Sequence, residues 1–440
     1  MALKALDIYK LLPKKNCKEC GDPTCLTFAM KLAQGKSDPD ACPYLDEAAK
    51  VVLGASTRPP IQKVIVGMGT RAFTVGEEFV FYRHEKTFYH QPGIFYLVSD
   101  NESDEKISDV ARMIREDYFT RIGMDLRLNG VAIISDSGSP VKFSEAVKIA
   151  SLKGEIPLVL IASDPTIMEA GLGVCGNFAP LIGHVTEDNI ESFCNFGEKY
   201  GASLLLKAES PDLLTILVDK CLAKGLSNLL LDLTGPMGVF VQDSTVIRQL
   251  ALSRKVPQFG YPVFLDVSQS GFSGLITGIV KFASVIITPP LSKPDMIAAL
   301  VMRQNIYTDP QKPIQITPGL YQIGTPGRSD PVFVTVNFSL TYFTLQGYLE
   351  ATRRSCWLLI VDTEGMSVLT AVAAGKLNET IIKDAINQFK LADEVDHGTI
   401  IIPGYASPLS GRIEEVTGWK VMVGPRDAAE IAAYIEEELK

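Results

Sequence analysis

The chain has little histidine and tryptophan, no surplus of basic residues and no long apolar run. Its 440 residues include 4 histidines and 2 tryptophans, and 51 acidic residues outnumber 42 basic ones, giving a net charge of −9. Because a nucleic-acid binder needs a basic surface, this balance argues against a nucleic-acid partner. Hydrophobic residues make up 46% and charged residues 21% of the chain. This composition is typical of a globular protein and excludes a disordered or fibrous chain.

Signals for membranes and for secretion are also missing. No segment approaches the roughly 18 apolar residues of a membrane span, and residues 1–10 lack the apolar core of a signal peptide. Eight cysteines are too few for a disulfide scaffold of this length. We therefore expect a cytoplasmic protein that does not bind a membrane, with reduced or metal-bound thiols.

Common nucleotide and metalloprotease motifs are absent as well. There is no G-x-x-x-x-G-K-[ST] loop and no H-E-x-x-H pair. Residues Gly67–Ala72 fit G-x-G-x-x-A, but strand-like alternation at Phe79–Tyr82 follows where a dinucleotide site needs a helix. The sequence thus argues against both kinds of nucleotide site. The histidines are expected to have structural or surface roles: His84, His90, His184 and His397.

Half of the cysteines stand in the first tenth of the chain. Cys17, Cys20, Cys25 and Cys42 follow the spacing C-x2-C-x4-C-x16-C, and four thiolates in one small segment hold zinc or an iron–sulfur cluster. Pro43 follows the last cysteine, as in ferredoxin-type sites, and the second C-x2-C pair of many zinc sites is missing. The spacing favours a [4Fe–4S] cluster over zinc and over free thiols. The other cysteines share no spacing and are predicted to be free thiols: Cys175, Cys194, Cys221 and Cys356.

The sequence predicts an α/β protein of three domains. Residues 1–57 form a small cluster domain that needs a metal to be stable, residues 58–312 a barrel domain, and residues 320–440 an open α/β domain. Proline-containing segments at 57–60 and 310–327 are interpreted as linkers.

Short apolar runs alternate with helix-like segments through the central domain. Each run is apolar almost throughout, as strands buried on both faces are, so the pattern predicts a (β/α)8 barrel of the TIM type. The alternation at Glu78–Arg83 predicts a β-hairpin at the barrel entrance. The predicted strands are Ile94–Val98, Val131–Ile134, Leu158–Ile161, Leu181–Val185, Leu204–Leu206, Leu229–Leu233, Val263–Val267 and Val285–Ile287, and the predicted helices include Ser108–Arg115, Phe143–Leu152 and Leu213–Lys224.

Acidic residues end several of these strands. Catalytic residues of such barrels lie at the C-terminal ends of strands, whereas aspartates there also cap the following helices and turns. We favour capping, and a barrel enzyme that binds a pterin stays open as the alternative. The residues are Asp100, Asp136, Asp164, Asp232 and Asp266.

The C-terminal domain is predicted to be a Rossmann-like sheet with mainly parallel strands. Ligands of such sheets lie beyond the carboxyl ends of the strands, which selects four loops. Small residues, hydroxyls and little charge there predict a pocket for a large neutral ligand rather than for proton transfer, with ordinary turns as the alternative. The predicted strands are Val332–Val336, Trp357–Val361, Thr399–Ile402 and Val421–Val423, the helices Ser367–Ala374, Thr380–Leu391 and Asp427–Leu439, and the loops Asn337–Thr341, Asp362–Ser367, Pro403–Pro408 and Gly424–Arg426.

Motifs in all three predicted domains give a resemblance to one family. The segments Leu12–Cys17, Cys42–Tyr44, Arg303–Pro310, Asn337–Tyr342 and Thr417–Trp419, with Val423–Arg426, occur in the order found in that family. The chain resembles the large subunit of the corrinoid iron–sulfur protein of the acetyl-CoA (Wood–Ljungdahl) pathway over essentially its whole length.

The resemblance implies two cofactors and several partners. It implies a [4Fe–4S] cluster on the four N-terminal cysteines, and a corrinoid bound between the C-terminal domain and a small partner subunit. His397 does not fit the D-x-H-x-x-G motif of other corrinoid modules, so no protein histidine is expected to ligate cobalt. By position, the resemblance assigns corrinoid contacts to Thr335, Thr341, Gly365, Met366, Ser367, Val368 and Ile431.

The implied function is methyl transfer. Co(I) would accept a methyl group from methyltetrahydrofolate on a separate methyltransferase and pass it to acetyl-CoA synthase/CO dehydrogenase. The cluster would reduce inactive Co(II). Two alternatives remain, a barrel methyltransferase that binds methylpterin itself and a ferredoxin-like electron-transfer subunit without corrinoid.

Overall fold

A computed structural model describes residues 5–33, 37, 39–46, 49, 53, 59–82, 85, 88–151, 156–175, 178–309 and 313–439. The chain divides into two compact units, Met1–Phe119 with Leu126–Tyr307, and Thr120–Asp125 with Thr308–Lys440. The further division of the first unit at residue 57 stays a prediction. Residues 57–58 and 310–312 of the predicted linkers lie outside the described residues, as do Arg83, His84 and Leu152.

Two short helices form the start of the first unit, α1 (Ala5–Leu11) and α2 (Cys25–Ala33). Their apolar faces share a small core in which Ile8 and Phe28 are fully covered. Cys25 and Cys42 belong to the same core. Two of the four thiols thus contribute to the apolar core of the cysteine segment.

An antiparallel hairpin of β1 (Val64–Val66) and β2 (Phe73–Val75) precedes the barrel. Its apolar residues pack against the residues that fill the barrel, and the Phe73 ring lies 5.2 Å from that of Phe95. The prediction of a hairpin at Glu78–Arg83 was wrong in its position, since among residues 78–82, which the structure describes, Glu78 alone makes a bridge, to Ile61. A short 3-10 turn links β1 to β2, so the G-x-G-x-x-A run forms a hairpin turn and not a nucleotide site.

The predicted barrel is confirmed. Eight parallel strands close in the order β3-β6-β7-β8-β9-β10-β11-β12, and β4 and β5 form a separate hairpin. All eight predicted strands are present. They could be predicted because each is covered on both faces and is therefore apolar at nearly every position. The strands are β3 (Gly93–Ser99), β4 (Phe119–Arg121), β5 (Met124–Leu126), β6 (Gly130–Ile134), β7 (Leu158–Ile161), β8 (Leu181–Val185), β9 (Ser203–Leu206), β10 (Leu229–Asp232), β11 (Val263–Asp266) and β12 (Ala283–Thr288).

Helices follow the barrel strands and bury one apolar face against them. In α3 (Asp104–Glu116), for example, the apolar residues at helical spacing are buried, and the Ser103 side chain caps the first turn by accepting a hydrogen bond from Lys106 N. Helix α8 continues as a π-helical turn at Leu250–Arg254. The remaining helices are α4 (Pro140–Ser151), α5 (Pro165–Cys175), α6 (Ile190–Tyr200), α7 (Pro211–Ala223), α8 (Met237–Gln249), α9 (Gly271–Val280) and α10 (Lys293–Tyr307).

The second unit contains the predicted open sheet, with five strands in the order β13-β15-β14-β16-β17. Four strands are parallel, and the edge strand β13 (Gly319–Ile323) runs antiparallel to β15. That strand lies inside the segment interpreted as a linker, so the linker prediction was wrong for these residues. The other strands are β14 (Val332–Val336), β15 (Cys356–Val361), β16 (Thr399–Ile402) and β17 (Lys420–Val423).

Helices cover both faces of this sheet and form two apolar clusters with it. The helix α11 (Ser339–Ala351) was not predicted. The other helices are α12 (Val368–Ala373), α13 (Glu379–Gln388), α14 (Leu391–Glu394), α15 (Ser410–Thr417) and α16 (Ile431–Glu438). Among the described residues, every helix is too short or too polar to cross a membrane.

Candidate functional site

A cavity of about 510 Å³ opens at the carboxyl ends of the parallel strands in the second unit. Strand β14 has β15 on one side and β16 on the other, so the strand order reverses at β14. Ligands of open α/β sheets bind at such a switch point. All four loops selected from the sequence contribute to the wall, through Thr341, Ser367, Tyr405 and Arg426 among others.

Three threonines present free hydroxyls in this cavity. Thr335 lies at the end of β14, and Thr341 and Thr344 lie in the first turns of α11. Within the described part of the chain, none of the three hydroxyls forms a hydrogen bond to another protein group, although Thr335 is only 1% exposed. A hydroxyl that lines a cavity and has no protein partner is available to a ligand.

The rest of the wall is mainly apolar. Phe333 and Ile401 from the sheet face Ile431 from α16 across the cavity, and all three belong to one apolar cluster. Arg426 and Asp427 are the charged residues of the wall. The Asp427 carboxylate accepts a hydrogen bond from Ala429 N, while the Arg426 guanidinium stands 5.8 Å from the centre of the Tyr405 ring.

The buried side chain of Asn337 holds the loop after β15 in place. Its Oδ1 accepts hydrogen bonds from Thr363 N and Gly365 N, both at 3.0 Å, and its Nδ2 donates to Asp362 at 3.0 Å. Gly365 has a φ of +74°, which a residue with a Cβ adopts only at a cost. Sequence reasoning placed Asn337 in a ligand loop but missed its role in fixing the neighbouring loop.

The structure brings five of the seven resemblance-based contact residues to the cavity. Thr335, Thr341, Ser367, Val368 and Ile431 line it. Gly365 and Met366 are not among the lining residues, and Met366 instead packs on the apolar cluster beneath the loop.

His397 lies away from this cavity. Its Nε2 donates to the carbonyl oxygen of Asp330 at 2.9 Å, and its Nδ1 accepts from Thr399 N at 3.3 Å. Both ring nitrogens are therefore engaged at the opposite, amino-terminal end of the strands.

The four N-terminal cysteines differ in exposure. Cys25 and Cys42 are buried, Cys20 is half-buried and Cys17 is exposed. Cys25 Sγ accepts a hydrogen bond from Asn16 N at 3.3 Å, and the Asn16 side chain accepts one from Cys25 N at 2.8 Å. Among the described residues, no three His, Cys, Asp or Glu side chains stand close enough together to hold a metal ion.

The backbone around Cys17 is nevertheless suited to an anionic group. Lys14, Asn16, Lys18 and Gly21 all have positive φ angles. Left-handed residues occur in the backbone turns that form anion-binding concavities, which are common at iron–sulfur sites. The four thiol donors, the burial of two of them and these left-handed residues fit a [4Fe–4S] cluster.

Most of the strand-end aspartates of the barrel act as caps, as favoured from the sequence. Asp100 accepts hydrogen bonds from Asp136 N and Ser137 N, and Asp164 accepts one from Thr166 N. Asp266 likewise accepts one from Ser268 N at 2.8 Å. The carboxylates of Asp164 and Asp266 are thus occupied by their own loops, and that of Asp100 by the loop that follows the neighbouring strand β6.

Asp232 has a second set of neighbours. One carboxylate oxygen caps Thr234 N, and the other lies 3.3 Å from both Lys207 Nζ and His184 Nε2. Burial lowers the pKa of His184, although the Asp232 charge opposes this shift. The other cysteines, as predicted, are free and buried, and burial raises the pKa of Cys175 to about 11.

Comparisons with known proteins match both parts of the chain. Residues 63–435 match the family model described as "CO dehydrogenase/acetyl-CoA synthase delta subunit", and residues 12–44 match the model described as "Putative Fe-S cluster". The chain is 38% identical to the "Corrinoid/iron-sulfur protein large subunit" of Moorella thermoacetica, over all of both chains. It is 35% identical to the "Acetyl-CoA decarbonylase/synthase complex subunit gamma" of Methanopyrus kandleri, over 99% of this chain and 98% of that one.

Among solved structures, the barrel is similar to dihydropteroate synthase of Yersinia pestis. That similarity covers 49% of this chain and 92% of the other, at 12% identity and a TM-score of 0.36. The sequence relatives confirm the resemblance predicted from the motifs. The predicted [4Fe–4S] cluster and corrinoid agree with the descriptions of the iron–sulfur model and of the Moorella protein.

Proposed function

The chain belongs to the CO dehydrogenase/acetyl-CoA synthase delta subunit family, and from this membership we propose that it is the large subunit of a corrinoid iron–sulfur protein that carries methyl groups for acetyl-CoA synthesis. When bound, the corrinoid cobalt takes up and releases the methyl group, and the [4Fe–4S] cluster supplies the electron that restores reduced cobalt. We propose as partners a small subunit, a methyltetrahydrofolate methyltransferase and acetyl-CoA synthase/CO dehydrogenase.

The observation that carries this proposal is the cavity at the switch point of the second unit. A corrinoid is a broad ring that bears many neutral amides, and free hydroxyls are suitable partners for amides. Thr335 and Thr341 supply such hydroxyls, and Ile431 supplies apolar surface. We assign corrinoid contacts to these residues and to Ser367 and Val368, while contacts by Gly365 and Met366 stay predictions from the resemblance.

The chain's own residues also favour a corrinoid without a histidine ligand. Within the described part of the chain no histidine lines the cavity, and both ring nitrogens of His397 already have protein partners. We therefore propose that the protein orients the corrinoid mainly through hydroxyl and apolar contacts, without a histidine ligand to cobalt.

For the cluster we propose Cys17, Cys20, Cys25 and Cys42 as ligands. Asn16 would position Cys25 through its paired hydrogen bonds. Hydrogen bonds to cluster sulfurs raise the reduction potential, so this loop would also tune the electron supply.

Anaerobic co-purification with the small subunit tests the proposal. We expect about four iron atoms per chain and one corrinoid per complex, measured by metal analysis and visible spectroscopy. A complex without cobalt that still carries methyl groups would contradict it. Iron without cobalt would favour an electron-transfer subunit, and methyl transfer to free cobalamin by this chain alone would favour a pterin-binding barrel enzyme.

The Cys20→Ala variant separates the two cofactors. It should lose iron and lose reductive reactivation, because one of four cluster ligands is missing. It should keep methyl uptake after chemical reduction, because the cavity is unchanged. Reactivation at the wild-type rate would show that the assigned role of the cluster is wrong.

A further inference from the structure

Arg426 brings an unpaired positive charge to the wall of the cavity in the second unit. Its guanidinium stands 5.8 Å from the centre of the Tyr405 ring, and among the described residues it forms no ion pair. The Cγ of Arg426 lies beside Gly404, where an added Cβ would come within 2.9 Å of it. The neighbouring Asp427 carboxylate accepts a hydrogen bond from Ala429 N, so it caps its own turn. The charge of Arg426 is therefore available to a ligand.

The amino-terminal end of α11 lines the same cavity through Leu340 and Thr341. This helix is 13 residues long, and the side chain of Phe338, the residue before it, does not cap it. Ser339 N donates to the carbonyl oxygen of Ile314, but in the part of the chain that the structure describes the N–H groups of Leu340 and Thr341 have no acceptor. Free N–H groups and the helix dipole together give this end a partial positive charge, which favours an anion.

A third group in this cavity also lacks a protein partner. Thr335, at the end of β14, is 1% exposed, and its hydroxyl lines the cavity without a hydrogen bond to any protein group in the described ranges. The Arg426 guanidinium, the free N–H groups of α11 and this hydroxyl can all donate hydrogen bonds. A ligand group that accepts several hydrogen bonds and carries negative charge is an oxyanion such as a phosphate. The cavity therefore combines its apolar wall with donors for an oxyanion.

We propose that Arg426 and the amino-terminal end of α11 bind the phosphate of a corrinoid's nucleotide loop, so that the protein selects complete corrinoids over cobinamide. A complete corrinoid carries a phosphodiester between its ring and its lower base, whereas cobinamide ends before that group. The amides of the ring are neutral, so the phosphate is the group whose charge a guanidinium recognises, through paired hydrogen bonds to its oxygens. The Thr335 hydroxyl stays assigned to a ring amide, which both kinds of corrinoid carry.

This inference rests on the proposed function, because it requires a corrinoid in the cavity. The test uses the corrinoid-free complex with its small subunit. It is titrated with cobinamide, cobinamide phosphate and cobalamin at low and high salt, and binding is followed in the visible spectrum. Cobinamide and cobinamide phosphate differ only in the phosphate group. Arg426→Gln, which removes the charge at similar length, is compared with Arg412→Gln, the same exchange at an exposed site on α15 outside the cavity wall.

At low salt the wild-type complex should bind cobinamide phosphate about 10- to 100-fold more tightly than cobinamide, and high salt should reduce this difference. Arg426→Gln should lose most of the difference, bind cobalamin more weakly and keep its affinity for cobinamide, and Arg412→Gln should behave as wild type. The inference is overturned if the wild type does not distinguish the two cobinamides, if Arg426→Gln keeps the difference or weakens all three corrinoids alike, or if Arg412→Gln has the same effect. Failure of the proposed function would differ, since the wild-type complex would then bind none of the corrinoids.

Discussion

The same threonine-to-valine exchange should affect the free energy of unfolding differently at two buried positions of the second unit. Thr335 and Thr363 are each 1% exposed. The Thr335 hydroxyl faces the cavity and has no hydrogen-bond partner in the described part of the chain, whereas Thr363 Oγ1 lies 3.0 Å from both Asn337 Oδ1 and the carbonyl oxygen of Met366. Valine has almost the same shape, so the hydroxyl is the only large difference.

The magnitudes follow from these partners. Thr335→Val removes a hydroxyl from the cavity wall without breaking a protein hydrogen bond, so the free energy of unfolding should be unchanged or slightly higher. If the hydroxyl binds a corrinoid amide, the lost hydrogen bond of about 0.5–1.5 kcal/mol should weaken corrinoid binding about 2- to 10-fold. Thr363→Val removes the one hydroxyl donor that Asn337 Oδ1 and the Met366 carbonyl oxygen share. Asn337 Oδ1 keeps two backbone donors, but the Met366 carbonyl oxygen loses its side-chain donor, so the free energy of unfolding should fall by about 1–3 kcal/mol.

Two measurements on the corrinoid-free complex decide the matter. Thermal unfolding gives the change in stability, and titration with cobinamide or cobalamin, followed in the visible spectrum, gives the affinity. The reasoning is refuted if Thr335→Val destabilises the protein as much as Thr363→Val does, or if it binds both corrinoids with wild-type affinity.

Three further predictions concern the other sites. Asn16→Ala removes the side-chain acceptor of Cys25 N, and it replaces a residue type that tolerates positive φ. The cluster segment should therefore lose about 1–2 kcal/mol of stability and release iron to a chelator faster than wild type. Equal release rates would contradict this. Burial lowers the pKa of His184 below its ordinary value near 6.5, so the unfolded chain binds more protons at this residue than the folded chain. The barrel should therefore lose stability as the pH falls through 6.5. His184→Gln should weaken this pH dependence in thermal unfolding. Gly404→Ala places a Cβ 2.8 Å from Arg426 N, so the loop after β16 must move. This should lower the free energy of unfolding by about 1–3 kcal/mol and weaken corrinoid binding in the same titration. An unchanged affinity would show that this loop does not shape the site.

The barrel could be predicted from the sequence because its signal is local. A strand covered on both faces must be apolar at nearly every position, so runs such as Leu158–Ile161 identify themselves. The strand Gly319–Ile323 gives no such signal, because it is only partly buried and lies among prolines and glycines. It exists because β15 offers an edge for antiparallel pairing, which the local sequence does not show.

The hairpin before the barrel shows the same limit. Phe79–Tyr82 alternates like a strand, yet the observed pair joins Val64–Val66 to Phe73–Val75. Which segments pair depends on which apolar side chains can pack on the residues that fill the barrel. Phe73 does so by packing on Phe95. Alternation alone could not choose between the two segments.

The sequence by itself determined the kind of chemistry. The cysteine spacing, the small number of charges in the strand-end loops and the poor fit of His397 to a cobalt-ligand motif can all be read from residue types and short intervals. Only the tertiary structure decided which side chains share a site. It brought Thr335 and Ile431 to one cavity across nearly a hundred positions of chain, left Gly365 and Met366 outside its wall, and made Asn337 the support of a loop it does not adjoin in sequence. The physical reason is that residue types fix what a group can bind, whereas the distances between such groups depend on strand order and packing over the whole domain.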